Sequence, residues 1–488
     1  MSINKQYFNK ILSYLSSNRK ELLYSIIITL IFFGSFYRMN YTTDTYADIM
    51  GNYANISSNF LGAGRFFAYA LYMLYKIGIS INYVYLVSFT LAILSISASI
   101  FILGGYLQSI VKSKKTLPYL LATLLVINPF TIELLFYLEK GIMTSAILFA
   151  ILGAISFHKY TKKQQKAQLF ISFLFAFLCC CSYQGIIGLY ITLSATFMLL
   201  DNNRTKIKSF ILCTLIYLAA IIANLLIAKL INGSTKSSVA NLDILESIKA
   251  LTSGSIRMVA LYNIIPAIIV YLLLAFTIIS FICNTNTKNK TSYIELLVII
   301  ILIIGSSILP YLSQSPNNIW FVPRSSWPFA AGISIILIYI YGQKSVKAKT
   351  LNIAKASCCI MLLLEFLSFN QIIIDHYQTN AIDKEVISQI GEKISEFEKS
   401  NNTKITNVSI IHDDSIIYTY PQKRAIGDAQ VMAMATSWSD VNSLNYYTGR
   451  NLTPTRISNL DNVDCSNNNN IQLDVIFPTK DIVVICKH

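Results

Sequence analysis

Six short Lys/Arg-rich segments alternate with long apolar runs over the first 370 residues, and that alternation leaves few folds open. Five are loops: Lys112 to Lys115, Lys159 to Lys166, Arg204 to Lys208, Lys288 to Lys290 and Lys344 to Lys349. The sixth is the N-terminal stretch with Lys5, Lys10, Arg19 and Lys20. The connections between them carry Asp44, Asp48, Glu133, Glu139, Asp243 and Glu246 instead. Short cytoplasmic loops retain Lys and Arg, so the pattern orients a multispanning protein and sets most loop carboxylates outside.

Many of the apolar runs exceed the roughly 18 residues that read as a membrane span. Spans are expected at 21–37, 83–107, 117–135, 141–157, 168–181, 184–200, 209–231, 263–283, 292–312, 329–342 and 351–370. Eleven crossings put the N-terminus in the cytosol and the C-terminus outside. The first run is long enough to stay as a span rather than act as a cleaved signal. The pair 168–200 is short in each half, and a broken hairpin there satisfies its backbone inside protein rather than in lipid. The fold class is therefore an α-helical polytopic membrane protein of 1–370 followed by a small α/β domain of 371–488.

Net charge alone, +15, would suggest a nucleic-acid partner. Residues 371–488 hold 10 Lys+Arg against 14 Asp+Glu, so the excess belongs to the membrane part. There it fixes topology and meets anionic lipid headgroups. No zinc spacing, aromatic-basic interleaving or basic domain points to nucleic acid. The tail reads as an amphipathic helix over 376–399, with Ile382, Val386, Ile390, Ile394 and Phe397 on one side, and strands at Val408 to Ile411 and Asp481 to Ile485. Cys465 and Cys486 are the two cysteines of this tail and can bridge if it lies in an oxidising compartment. The other seven cysteines sit in or beside apolar spans as small hydrophobes.

The connection from Arg38 to Asn82 holds the strongest local signal, Thr43-Asp44-Thr45-Tyr46-Ala47-Asp48 followed by Gly64-Arg65-Phe66. On a helix, Asp44 and Asp48 share a face. Two acids near an apolar boundary raise each other's proton affinity, which suits a base that deprotonates a hydroxyl. The plainer alternative makes Asp44 a helix cap and leaves Asp48 solvated. Arg65 to Lys76 is about 12 residues of apolar helix, too short to span, and reads as a surface-lying helix. A second amphipathic helix is expected over Asn241 to Tyr262.

Glu133 follows Asn128-Pro129 inside an apolar run, where a carboxylate facing lipid costs about 2–3 kcal/mol, so it should face a polar cavity or a cation such as Lys140 or Arg65, the plainer alternative being an internal ion pair with no chemical role. Arg65 and Arg324 are guanidinium groups beside aromatics, suited to a phosphate or to simple interfacial anchoring. Glu139, Lys140, Tyr183 and Gln184 complete the polar set near the same end of the spans, and Tyr183-Gln184 either bonds sugar hydroxyls or finishes a turn. His158 and His376 stand isolated, and His412-Asp413-Asp414 is a weak metal cluster. No P-loop, GxSxG, CxxC or HExxH occurs, so no cofactor is expected.

A span, an external Asp-containing stretch and Gly64-Arg65 opening a surface helix resemble the GT-C class of membrane glycosyltransferases. With Asn128-Pro129-Phe130, Ser182-Tyr183-Gln184 and the Pro323-Arg324 loop, the chain resembles the Gtr type-II O-antigen glucosyltransferases of serotype-converting phages. Relatives of that kind carry two adjacent acids followed by Arg in this loop. Here Asp48 is followed by Ile49, with Asn52 near the expected Arg, so either Asp44 or Asp48 can be the base. The resemblance implies a bacterial inner-membrane enzyme that transfers glucose from undecaprenyl-type polyprenyl phosphate to a lipid-linked O-antigen sugar on the periplasmic face. It implies Asp44 or Asp48 as base, Arg65, Lys140 and Arg324 as phosphate ligands, and Tyr183, Gln184, Glu133 and Glu139 as pocket residues. No metal is demanded where guanidinium groups carry the leaving charge. A transporter or flippase of lipid-linked sugars, or a polymerase of them, is the alternative. The few ionisable residues deep in the spans count against a transporter.

Overall fold

The computed structural model describes residues 13, 15–51, 53–111, 116–201, 206–232, 245, 248–249, 264–284, 290–313, 322–343, 348–411, 432–455 and 473–487. They fall into two units, one of Met1–Met39 with Ser57–Asn370 and one of Asn40–Ile56 with Gln371–His488. Of the expected helix Asn241 to Tyr262, only Leu245, Ile248 and Lys249 are among the described residues, and they are helical; the His412 cluster, the loop Lys112 to Lys115 and Cys465 lie outside them.

The first unit is helical because hydrocarbon offers no partner for a backbone N–H, and a helix satisfies every such group within one segment. Among the described residues, seven helices are long and apolar enough to cross a membrane: Arg19–Tyr37, Ile81–Ile110, Lys140–Lys163, Ile207–Asn232, Ser292–Tyr311, Pro323–Gly342 and Leu351–Asn401. Four shorter apolar helices, Thr116–Val126, Lys166–Ser182, Gln184–Leu200 and Ile268–Cys283, overlap the other expected spans without reaching the length of a crossing helix. The chain is a polytopic membrane protein. Lys140–Lys163 and Pro323–Gly342 bury 72% of their apolar windows and form the centre, whereas Arg19–Tyr37 and Ile207–Asn232 bury 28% and lie at the rim. Gly141 lets the central helix meet Ile81–Ile110 closely, since a Cβ there would sit 2.4 Å from the Ser88 carbonyl oxygen.

Two local features depart from expectation, at 117–135 and at His158, and one, the hairpin of 168–200, follows it. The run expected to be helical over 117–135 stops at Val126. Pro129 disfavours helical geometry at Asn128, whose side chain then accepts from the Phe130 N–H at 2.9 Å. A separate short helix, Thr131–Leu134, carries Glu133. The 168–200 region is two helices, Lys166–Ser182 and Gly188–Leu200, joined by a tight turn at Gln184–Ile186. His158 is not isolated: Tyr106 Oη lies 2.6 Å from its Nδ1 and Asp201 Oδ2 lies 2.7 Å from its Nε2.

The second unit is α/β. Its sheet has the order β2-β1-β4-β3, with β1 Asn407–Ile411, β2 Thr453–Pro454, β3 Leu473–Ile476 and β4 Ile482–Lys487. β1 runs parallel to β2 and β4, and β3 is antiparallel to β4. The expected tail helix is the end of a continuous helix, Ala348–Asn401, whose 54 residues contain no proline and one glycine, Gly391. Ile387, Ile390 and Ile394 pack on Val408, Val483, Ile485, Met434 and Leu444.

Residues 40–56 belong to this unit although they directly follow the first span in sequence. The helix Thr43–Met50 is held by tyrosines: Tyr46 Oη lies 2.6 Å from Tyr447 Oη, and Tyr41 and Tyr446 stack edge-on at 5.6 Å. Asn380 brackets Tyr41 on both backbone sides, accepting from its N–H at 2.8 Å and donating to its carbonyl at 3.1 Å.

Candidate functional site

The first unit gathers residues that are far apart in sequence around Glu133. Its short helix is fixed by Thr131, whose hydroxyl donates to the Val126 carbonyl at 2.7 Å and accepts from the Trp327 indole N–H at 3.0 Å. Glu133 is fully buried and its carboxylate grips Arg324 twice. Oε1 accepts from Nη1 at 2.7 Å and Oε2 from the backbone N–H at 2.6 Å. The cation partner is thus Arg324, not Lys140 or Arg65 as the sequence suggested. The Arg324 guanidinium also lies 4.7 Å above the Tyr137 ring. This two-point grip fixes both the side chain and the backbone of the turn Pro323–Ser326.

Tyr183 lies between the two guanidinium groups in electrostatic reach. It is buried, it hydrogen-bonds Ser325, and the Arg65 guanidinium rests 4.8 Å over its ring. Burial raises the Tyr183 phenol above its ordinary value, while the Arg324 and Arg65 charges oppose that rise and Glu133 adds to it. Gly185 lets this turn touch the Arg324 turn, since a Cβ there would meet the Arg324 carbonyl at 2.6 Å.

Arg65 precedes the helix Phe66–Lys76, which forms close to where the sequence placed it and buries Ala68, Leu71 and Tyr72. Its N-cap residue, Arg65, makes no side-chain cap hydrogen bond. Arg65 is partly exposed, and its Nε, itself buried, has no hydrogen-bond partner among the described residues. Gln184 Nε2 donates to the Ala63 carbonyl, and Asn224 Nδ2 donates to the Gly64 carbonyl at 2.9 Å. Gly64 has φ +72 and approaches Asn224 so closely that a Cβ would stand 2.3 Å from its Oδ1. Only glycine fits.

Glu139 and Lys140 take different roles. Glu139 Oε2 accepts from the Tyr72 hydroxyl at 3.1 Å, which ties it to the helix that Arg65 opens. Lys140 is fully buried; its ammonium sits 3.8 Å over the Tyr85 ring and 5.7 Å from Phe36. It meets aromatic faces rather than an open surface. Among the described residues no group of three His, Cys, Asp or Glu could hold a metal.

In the second unit, the cap of Thr43–Met50 is Thr42, which accepts from the Thr45 N–H, so Asp44 is not the cap. Asp44 shares a partly exposed stripe with Ala47 and Met50, whereas Asp48 is buried at 6% exposure. An acid in the first turn also gains from the helix dipole.

The profile of the family described as Glucosyl transferase GtrII matches residues 35–341. The chain belongs to that family. The matched stretch holds Asp44, Asp48, Arg65, Glu133, Glu139, Lys140, Tyr183, Gln184 and Arg324, and with the apolar helices it makes this GtrII-family chain a membrane glucosyltransferase. No curated protein matches it. The residue of this cluster that sequence reasoning missed is Asn224. Its signal was present: one asparagine within Ile221-Ile222-Ala223-Asn224-Leu225-Leu226, where an unpaired amide in an apolar span is unfavourable. Tyr137 and Tyr72 were missed for a different reason, because nothing local distinguishes them from other interfacial aromatics.

Proposed function

We propose that this GtrII-family chain is an inverting glucosyltransferase that moves glucose from polyprenyl-phosphate-glucose to a lipid-linked O-antigen sugar. The reaction runs on the periplasmic face of a bacterial inner membrane. Eleven crossings leave the N-terminus cytosolic and residues 371–488 periplasmic as a separate domain. The single observation that carries the reading, beyond family membership, is Arg65: a partly exposed guanidinium with an unused buried donor, opening an uncapped helix.

The chemistry follows from charge. The acceptor hydroxyl oxygen bonds to glucose C1, the C1–O bond to phosphate breaks, and the proton passes to a carboxylate. Asp44, on the partly exposed stripe, is the first choice for that base and Asp48 the second. The departing polyprenyl phosphate gains negative charge, and a fixed guanidinium stabilises it most where water is scarce. Arg65 takes this role. Arg324, already gripped by Glu133, sets the electrostatics around Tyr183, and Lys140 supports from within the fold.

Glycan mass spectrometry of cells with and without the chain tests the assignment. One added hexose per repeat is the expected result. Loss of surface polysaccharide with unchanged composition would instead assign a transporter or polymerase.

A further inference from the structure

Two side-chain amides from different segments converge on consecutive carbonyls just before Arg65. Gln184 Nε2 holds Ala63, and Asn224 Nδ2 holds Gly64 at 2.9 Å. The amides are also linked to each other, Gln184 Nε2 lying 3.2 Å from Asn224 Oδ1. Asn224 is 1% exposed, so its polar atoms are committed to this contact rather than to solvent. Asn232, two turns further along the same helix, takes a hydrogen bond from Ser57 Oγ at 3.0 Å. The rim helix Lys206–Asn232 therefore fastens the segment 57–65 at two heights.

What the clamp fixes is donor geometry. With Ala63 and Gly64 held, the backbone enters Phe66–Lys76 at a set angle, and its N-cap residue Arg65 makes no side-chain cap hydrogen bond. Tyr183, next to the clamping Gln184, supplies the ring on which the Arg65 guanidinium lies. The same tight turn thus holds the backbone two residues before Arg65 through Gln184 and the Arg65 side chain through Tyr183. Uncapped helix N–H groups and a guanidinium together suit a phosphate.

We propose that Asn224 and Gln184 are positioning residues that aim Arg65 and the first turn of Phe66–Lys76 at the phosphate of a polyprenyl-phosphate ligand. This rests on the reading of Arg65 as a phosphate ligand given above. Neither amide touches the ligand; both act through Arg65.

The test measures binding to the purified full chain in nanodiscs. The probes are polyprenyl phosphate, polyprenol of equal length and inorganic phosphate. Arg65→Ala should weaken polyprenyl-phosphate binding about tenfold or more, and Asn224→Ala or Gln184→Leu several-fold, with polyprenol binding unmoved. In the Arg65→Ala background, adding Asn224→Ala should cost nothing further, because its effect runs through the missing guanidinium. Losses that multiply in the double variant, or equal losses for polyprenol, would assign Asn224 a general structural role and overturn the proposal. Gln184→Leu leaves the Asn224 bond to Gly64 intact, so it carries the test should Asn224→Ala fail to fold. Inorganic phosphate binding as tightly as the lipid form would overturn the lipid assignment. If Arg65→Ala keeps full phosphate selectivity, the Arg65 reading itself falls, and the clamp proposal with it.

Discussion

Replacing Glu133 should expose how the Arg324 turn is held. The carboxylate is fully buried and its partner's side chain is only 12% exposed, so neither charge can recover hydration if the other leaves. Removing one member of such a pair costs about 3–5 kcal/mol, because an uncompensated buried charge remains. Glu133→Ala also deprives the Arg324 N–H of its 2.6 Å acceptor, which places it at the upper end of that range. Glu133→Gln keeps an amide oxygen for that N–H but still leaves the Arg324 charge uncompensated, so it should fall at the lower end of that range, about 3 kcal/mol. Reversible unfolding in mixed micelles measures these values. The decisive comparison is the pair Glu133→Gln and Arg324→Met. The double variant should recover about 2 kcal/mol of the summed single losses, since each single strands the other's partner. Costs that add to within about 0.5 kcal/mol would show that the two groups do not couple, refuting the two-point grip.

Further outcomes follow from individual contacts. Asp44→Asn should lower glucosyl transfer by about 10²–10⁴-fold with membrane insertion intact, by the usual worth of a general base, and full activity in Asp44→Asn and Asp48→Asn alike would remove both from that role. Gly64→Ala should reduce the folded fraction at the expression temperature, because φ +72 strains a side chain by about 1–2 kcal/mol and its Cβ meets Asn224; a wild-type melting curve would contradict the turn. Tyr447→Phe removes the 2.6 Å contact to Tyr46 and should cost the second unit about 1 kcal/mol in denaturant unfolding. Reporter fusions at Lys163 and Lys347 should read cytosol and one at Asp461 the outside; the reverse pattern would falsify the charge-based orientation.

Seven of the expected spans, each matched by a long apolar helix among the described residues, were legible because hydropathy is a local property and the bilayer rewards it residue by residue. The stop at Val126 was not, although Asn128-Pro129 announces it in hindsight: the apolar run continues to Leu138 and masks the break. Arg65, Glu133, Tyr183, Gln184 and Arg324 could each be singled out as a polar group in apolar surroundings. Their pairing could not. Glu133 and Arg324 are 191 residues apart, and no periodicity within a helix encodes which turn of another segment it meets. The same holds for Thr43–Met50, whose tyrosine partners Tyr446 and Tyr447 lie about 400 positions away, at the separations of 401 and 405 spanned by their hydrogen bonds. Composition showed a polar tail, but not that a segment following the first span folds with it.

The most direct test reconstitutes the full chain in liposomes with polyprenyl phosphate carrying labelled glucose and a lipid-linked glycan acceptor. The account predicts label in the acceptor, one polyprenyl phosphate released per glucose moved, and a new linkage of opposite anomeric configuration to the donor. An acceptor that stays unlabelled, or that takes label from a soluble nucleotide-glucose without any lipid carrier, would contradict it.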